Sequence, residues 1–168
     1  SNMIQEIREH LLHKIIPFWE SLRDDENGGY YGYVDHDLHV DEKAFKGCIL
    51  NNRITWFFSS AAKLFLDERA GKVNSVNPPV SEEFIEELLD NAKHGFAFLK
   101  SACLDPVHGG MYWSVSYDGK PYDTTKHTYN QAFSIYALCS YYDVTRDEES
   151  LEIALDLYRI IEGRCRDE

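Results

Sequence analysis

Apolar residues in the first twenty positions fall at helical spacing: Ile4, Ile7, Leu11, Leu12, Ile15, Ile16 and Trp19, with charged residues between them. That spacing predicts an amphipathic helix with one buried stripe. The pattern returns in Ile85, Leu88, Leu89, Ala92, Phe96 and Leu99, where Ser81 is placed to cap the helix after Pro78 and Pro79. It returns again in Leu151, Ala154, Leu155, Tyr158 and Ile161, after a Thr145 to Glu148 capping box. Two intervening segments differ. From Ile49 to Leu66 the apolar residues Ile54, Trp56, Phe57, Phe58, Ala61, Ala62, Leu64 and Phe65 surround most of the axis, and from Tyr129 to Tyr142 so do Ala132, Phe133, Ile135, Tyr136 and Leu138. A helix apolar all round is enclosed by protein. One-faced helices alternating with enclosed ones describe an all-α double layer, with the first, third and fifth helices outside and the second and fourth lining the interior. That is part of an α/α toroid.

Short strands separate these layers. Tyr30 to Val34, with a return near Leu38 to Val40, reads as one hairpin, and Met111 to Tyr117, turning at Asp118-Gly119, as another. Residues 71–79, rich in Asn and Pro, read as an exposed loop. The two halves resemble each other. Asp24, Gly28-Gly29 and Tyr30-Tyr31 lead to Asn52-Arg53, as Asp105, Gly109-Gly110 and Met111-Tyr112 lead to Asn130-Gln131, which makes an internal repeat of about eighty residues. Units of this kind stack against neighbours because none buries its own apolar face. A full ring needs about a dozen helices, and five are present. Either this chain is part of a longer polypeptide, or arcs associate as homo-oligomers through the exposed edge of the fourth helix, which would otherwise leave apolar surface in water.

The chain has 168 residues, enough for a single domain over 1–168 that buries roughly 70% of its unfolded surface. Ser1 and Asn2, before Met3, read as the remnant of an expression tag. With 29 acidic against 17 basic residues, it lacks the clustered positive charge that nucleic acid or an anionic membrane demands. It has neither an apolar run long enough to span a bilayer nor the pattern of a secretory signal. Cys48, Cys103, Cys139 and Cys165 form no C-x-x-C pair, so reduced, mostly packed thiols in a cytoplasmic protein are expected. Aromatic residues make up 14%, including 11 Tyr and 3 Trp, and their apolar faces with polar tips suit both a core and a wet stacking pocket.

Arg53 stands near the start of an otherwise apolar inner helix. A cation there requires a carboxylate such as Asp25 or Asp105, or a ligand oxygen, and the fork of guanidinium donors suits an oxyanion or hydroxyl clamp. In the matching segment, Asn130 and Gln131 align with Asn52 and Arg53. Tyr129 is placed to stack on or hydrogen-bond a sugar, and His127 either to shuttle a proton or to cap the helix. Asn52, Trp56, Trp113, His127 and Gln131 are expected to line the lumen. Asp35, His36, Asp37, His39 and Asp41 crowd one hairpin, but alternation sets His36 and His39 on opposite faces, so a solvated turn is expected rather than a metal site. Asp24, Asp25 and Glu26 resemble a glycosidase acid cluster, yet hydrolysis needs two carboxyls facing each other across the bond. Neither a glycine-rich phosphate loop nor a G-x-S-x-G elbow is present.

Taken together, the string from Ile16-Pro17-Phe18-Trp19 to Gly28-Gly29-Tyr30-Tyr31-Gly32, the helix Ile49-Leu50-Asn51-Asn52-Arg53-Ile54-Thr55-Trp56-Phe57, the Gly109-Gly110-Met111-Tyr112-Trp113 segment and Lys126-His127-Thr128-Tyr129-Asn130-Gln131-Ala132-Phe133 resemble the N-acylglucosamine 2-epimerase family, and within it the cellobiose 2-epimerase branch. The resemblance implies the N-terminal arc of an (α/α)6 barrel, a mono- or disaccharide substrate, and C2 epimerisation through an enediolate without metal or redox cofactor. It implies that Arg53 holds the oxygens beside C2 and that Tyr129 contacts the sugar. It also implies that the acid/base histidines lie on later helices, since none of His10, His13, His94 or His108 matches them. Two alternatives stand beside this reading: a non-catalytic sugar-binding or self-associating arc, and a fragment of an α/α glycoside hydrolase.

Overall fold

In the computed structural model, which describes residues 2–73 and 77–167, five helical rods alternate between two layers. Ser1 and positions 74–76 of the expected 71–79 loop lie outside the described residues. The first rod joins α1 (Asn2–His10), one π-helical turn (Leu11–Ile15) and α2 (Ile16–Ser21), with Pro17 just past the π turn, where its missing amide hydrogen is tolerated. The inner helix α3 (Cys48–Arg69) packs against outer α4 (Glu82–Phe98) and against inner α5 (Thr128–Thr145), which in turn carries outer α6 (Glu148–Asp167). A second π turn (Leu99–Cys103) ends α4. Among the described residues no helix is long and apolar enough to cross a membrane.

Several local expectations change in three dimensions. The stripe of the first rod is buried only in its second half: Ile16 is fully enclosed, whereas Ile4 and Ile7 are 67% and 63% exposed. The rod meets the end of α3 at Arg8, which donates to Glu68 (2.6 Å) and lies over Phe65, and the turns before Arg8 stand clear of that contact. Ser81 caps α4 as expected, accepting from the Phe84 amide at 3.1 Å. The capping box expected at Thr145 is displaced, because Thr145 still belongs to α5 and its hydroxyl donates to Tyr141 O. Arg146 turns left-handed and Asp147 caps α6, accepting from the Glu149 amide. Nor are the cysteines mostly packed: Cys48 and Cys103 are buried, Cys139 and Cys165 exposed, and all four are free thiols.

The strands differ more. A three-stranded antiparallel sheet of β1 (Lys46–Gly47), β2 (Ser114–Val115) and β3 (Pro121–Asp123), in that order, joins the two repeats. Lys46 lies opposite Val115 and Ser114 opposite Asp123, with a bulge between Ser114 and Val115. The Asp118-Gly119 turn is present, with Gly119 at φ +87 donating to Ser116 O. The expected hairpin over residues 30–40 shrinks to single bridges, Arg23 with Tyr30 and Val34 with Val40. Lys46-Gly47, in the first repeat, pairs instead with the second.

Both repeats turn on the same device. Asp24 accepts from the amides of Glu26 and Asn27 (3.0 and 2.9 Å), and its other oxygen takes the Lys46 ammonium at 2.5 Å. Asp105 accepts from Val107 and His108 (2.9 and 3.0 Å) and takes Lys126 at 2.6 Å. The glycine pairs that follow have positive φ, and a Cβ on Gly29 would run into the Phe98 ring. The chain then meets an inner helix through one amide side chain. Tyr30 N donates to Asn51 Oδ1 (2.9 Å), and Met111 N donates to Gln131 Oε1 (2.6 Å). The repeat register therefore pairs Asn51 with Gln131, two positions away from the expected match of Arg53 with Gln131.

Lys46 and Asp24 are both almost wholly buried. Burial alone would raise the Asp24 pKa, but the Asn27 amide and the Lys46 ammonium more than offset it and hold the carboxyl below its ordinary value. A depressed folded pKa contributes stability that is complete above about pH 4 and is lost as pH falls. Lys46→Met strands a buried carboxylate and is expected to lower unfolding free energy by about 3–5 kcal/mol in urea titrations at pH 7. Equal midpoints for Lys46→Met and wild type would refute the pairing.

Between the first rod and α4 the sign reverses. Burial first, then the hydrogen bond and charge of Glu87, push the Glu20 carboxyl up to about 7, although Asn91 donates to it at 3.4 Å and Arg23 is close. A raised folded pKa gives stability that is complete below about 4.5 and disappears as pH rises through about 7. Glu20→Gln should thus melt higher than wild type at pH 8 and alike at pH 4.5. A difference that grew towards low pH would contradict this.

Candidate functional site

Helix periodicity determines which way the candidate residues point. Successive residues turn about 100° around an α-helix, so a position two removed from another faces nearly the opposite way. Asn51 and Gln131 are clamped to the buried glycine turns, and Arg53 and Tyr129, each two positions away, are directed to the uncovered inner face. Tyr129 is 56% exposed, and Arg53 is exposed as well. The two residues belong to one strip. The Arg53 guanidinium lies 5.7 Å from the Phe133 ring, and Phe133 is one turn along α5 from Tyr129. Tyr129 meets Trp113 edge-on (5.6 Å), and Trp113 meets His127 in the same way (4.8 Å).

Among the described residues Arg53 makes no ion pair. Asp25, one expected partner, binds Arg23, and Asp105, the other, binds Lys126. Lys126, then the His108 and Val107 amides, hold Asp105 well below the usual carboxylate range. The guanidinium therefore keeps its donors for a ligand. It lies on an open face rather than in an enclosed hollow, because among the described residues nothing stands opposite the arc of five rods.

Trp56, 37% exposed and three positions beyond Arg53 on α3, extends this inner surface. His127 occupies the N-cap of α5 but its ring makes no capping bond, and the backbone carbonyl alone accepts from Asn130 and Gln131. The imidazole stays in the strip. It lies close to Asp123, whose carboxyl is lowered mainly by the Thr125 hydroxyl and amide, with His127 adding a smaller share.

Two expected lining residues are corrected. Asn52 and Gln131 are fully buried. Asn52 donates across the α3–α5 seam to Asn130 Oδ1 (3.1 Å) and Ser134 Oγ (2.6 Å), while its own Oδ1 has no donor. Gln131 spans the Met111 backbone, accepting from its amide and donating to its carbonyl at 2.8 Å. Polar groups sealed between helices are mostly hydrogen-bonded because leaving them bare is costly, and Asn52 Oδ1 is an exception among the described residues. Of the remaining histidines, His94 bonds Gly29 O and His108 pairs with Asp105, both away from the strip.

Phe133 was absent from the expected site, since an apolar residue on an apolar helix carries no sequence signal until Arg53 is seen above it. Asp35, Asp37 and His39 do gather, with ligand atoms within 4.8 Å of one another, and Asp35 Oδ1 accepts the amides of the other two. The trio is solvated. Chemically, the strip offers hydrogen-bond donors for oxygens beside aromatic faces and one imidazole, an arrangement suited to a neutral polyhydroxylated ring.

A model of the N-acylglucosamine 2-epimerase (GlcNAc 2-epimerase) family matches residues 80–168. A cellobiose 2-epimerase of Eubacterium cellulosolvens is 52% identical over 161 residues, 96% of this chain and 35% of that protein. One from Ruminococcus albus is 48% identical over 166 residues, 99% of this chain and 38% of that protein. A crystal structure of a sugar epimerase from a ruminal bacterium superposes with a TM-score of 0.81 at 48% identity, over 96% of this chain and 37% of the other. The chain thus spans little more than a third of the length of these relatives.

The exposed and the sealed residues should respond differently to substitution. Arg53→Ala is expected to shift unfolding free energy by less than about 0.5 kcal/mol, as for a free surface side chain. Gln131→Leu leaves the buried Met111 amide and carbonyl unpaired and should cost about 1–3 kcal/mol. Chemical denaturation of both variants checks the assignment, and a reversed order would undo it.

Proposed function

Since the chain belongs to the N-acylglucosamine 2-epimerase family, we propose that it forms one side of the sugar site of an enzyme that inverts C2 of a reducing-end aldose, the activity named for its cellobiose 2-epimerase relatives. The observation that carries this reading is the Arg53 guanidinium, without an ion pair among the described residues, at the end of an aromatic strip. In the proposed reaction a base removes the C2 proton of the open-chain sugar. The electron pair of that C–H bond moves into a C1–C2 double bond, and negative charge collects on the C1 oxygen. Arg53 donates to the oxygens beside C2 and stabilises that charge as it develops. Return of a proton to the other face of C2 completes the inversion, so two proton carriers must flank the carbon.

The strip holds a single imidazole, that of His127, and Tyr129 contacts the ring rather than carrying its proton. The acid/base pair therefore comes from outside these residues, and the chain alone binds sugar without turning it over. The four free thiols suit a reducing, cytoplasmic setting. A second reading, a self-associating arc, is favoured by exposed Tyr136 and Trp56 on the inner helices, which a second copy would cover.

Incubating the 168-residue chain with cellobiose in D2O and following the C2 position by proton NMR tests the proposal. No deuterium should enter at C2, while saturation transfer from protein to sugar should appear and fall in Arg53→Ala. Exchange catalysed by the chain alone would overturn the claim that its acid/base pair lies elsewhere. Concentration-dependent dimerisation without saturation transfer would overturn the sugar reading in favour of the arc.

A further inference from the structure

The structure assigns a second ligand site, a cleft between the second glycine turn and α6 that takes a small planar cation of the guanidinium or amidinium class. It is independent of the sugar reading and follows from laying one repeat on the other. The glycine turns align Arg23 with Leu104, Gly29 with Gly110 and Tyr30 with Met111. The outer helices, set on their caps Ser81 and Asp147, align Asp90 with Asp156, Asn91 with Leu157 and His94 with Ile160. Burial agrees pair by pair: Arg23, Leu104, His94 and Ile160 are half-buried, Asn91 and Leu157 buried, Asp90 and Asp156 exposed.

In the first repeat polar side chains fill this seam. Arg23 donates to Asp90 (2.9 Å) and Asn91 (3.3 Å), and the Tyr30 hydroxyl donates to Asn91 O (2.9 Å). His94 Nε2 lies 2.9 Å from Gly29 O, a carbonyl that can only accept. In the second repeat Leu104, Met111, Leu157 and Ile160 offer no side-chain donor, and a hollow of about 250 Å³ remains, lined by Leu104, Gly110, Asp156, Leu157 and Ile160. Since α6 stands where α4 closes the first seam, the hollow comes from the side chains and not from missing backbone. Among the described residues Gly110 O accepts from Asp105 N alone, whereas Gly29 O meets both Asp24 N and His94. Asp156 meets Arg159 of its own helix (2.9 Å), and both side chains are largely exposed, so that pair exchanges readily. The second seam has kept two acceptors and lost the donors that served them.

A ligand that restores what is missing must donate to a carboxylate and a carbonyl while laying an apolar face on Ile153 and Ile160, which also line the hollow. Guanidinium and amidinium groups meet the first demand, being planar with N–H bonds on more than one edge. Asp105, also in the lining, is already taken by Lys126 and two amides, which leaves Asp156 as the counter-ion. The net charge of −12 draws cations towards the chain. The hollow is smaller than the roughly 300 Å³ at which drug-sized pockets begin, so its occupant is a single ring bearing the cationic group.

Methyl NMR of the 168-residue chain, titrated with benzamidine, tests the assignment. The methyl signals of Leu104, Leu157 and Ile160 should move, and less so as added salt screens the charge. Benzamide, the neutral analogue, should bind about fivefold more weakly, and so should benzamidine to Asp156→Asn, the loss expected of one exposed charge pair. Leu104→Arg places the first repeat's guanidinium in the hollow and should abolish the response of Ile160 to benzamidine. No movement of these methyls with benzamidine up to about 10 mM rules out the site. Equal affinity for benzamide, or undiminished benzamidine binding in Asp156→Asn, refutes the cation. A folded Leu104→Arg that binds benzamidine like wild type overturns the repeat argument, and should that variant not fold, the exposed Asp156→Asn decides.

Discussion

Each half of this molecule is organised by a lysine ammonium held on an aspartate that already caps its own turn, sealed for Lys46 and partly exposed for Lys126. Lys46 on Asp24 and Lys126 on Asp105 are the same interaction made twice. Asp24 cannot give up its lysine without stranding charge in the interior, and in both pairs the ammonium lies over aromatic rings, Tyr31 and Phe98 in one case and Tyr112 in the other. From that anchor the chain has one way forward. The glycine pair turns left-handed, the next residue offers its backbone to an inner-helix amide, and the rotation of that helix about its axis is thereby set.

The orientation of the candidate site follows from this anchor. Arg53 and Tyr129 touch neither ion pair, yet each stands two residues from a clamped amide and so faces away from the packed side. Replacing that amide with an apolar residue of like volume would preserve a helix but free it to rotate, and the outward row of Arg53, Phe133 and Tyr129 would lose its alignment. The repeat thus delivers two side chains from distant parts of the sequence to one surface without requiring contact between them.

Much of this was legible in the residues. The five helices, their alternation between outer and inner layers, the Ser81 cap and the Asp118-Gly119 turn all rest on local chemistry that spacing reveals, whereas the inner pair, expected to be enclosed, leaves Trp56, Tyr129 and Tyr136 exposed. What escaped depends on partners far away in sequence. Asn52-Arg53 and Asn130-Gln131 look alike as strings, but their true register is set by which amide reaches the residue after Gly-Gly, and that makes Asn51 the counterpart of Gln131. An amide on an apolar helix looks the same in sequence whether it faces a lumen or seals a seam. Only the opposing Asn130 and Ser134 decide for Asn52. The pairing of Lys46-Gly47 with the second repeat was invisible for the same reason, as two residues carry no strand signal of their own.

The seam itself bears on chemistry. Arg53 follows Asn52 in sequence, and Tyr129 precedes Asn130, so the hydrogen bonds joining Asn52 to Asn130 and Ser134 hold the two strip residues at a constant spacing. Catalysis tolerates little misplacement, since an error of about 1 Å in positioning can cost about a hundredfold in rate. A bare apolar seam would allow α3 and α5 to slide by fractions of a turn at small energetic expense. The buried amides forbid it, because any slide breaks bonds that no water is present to replace. Asn52 and Gln131, expected to line the interior, thus bear on the strip through the geometry they impose on their neighbours, which are exposed where they are sealed.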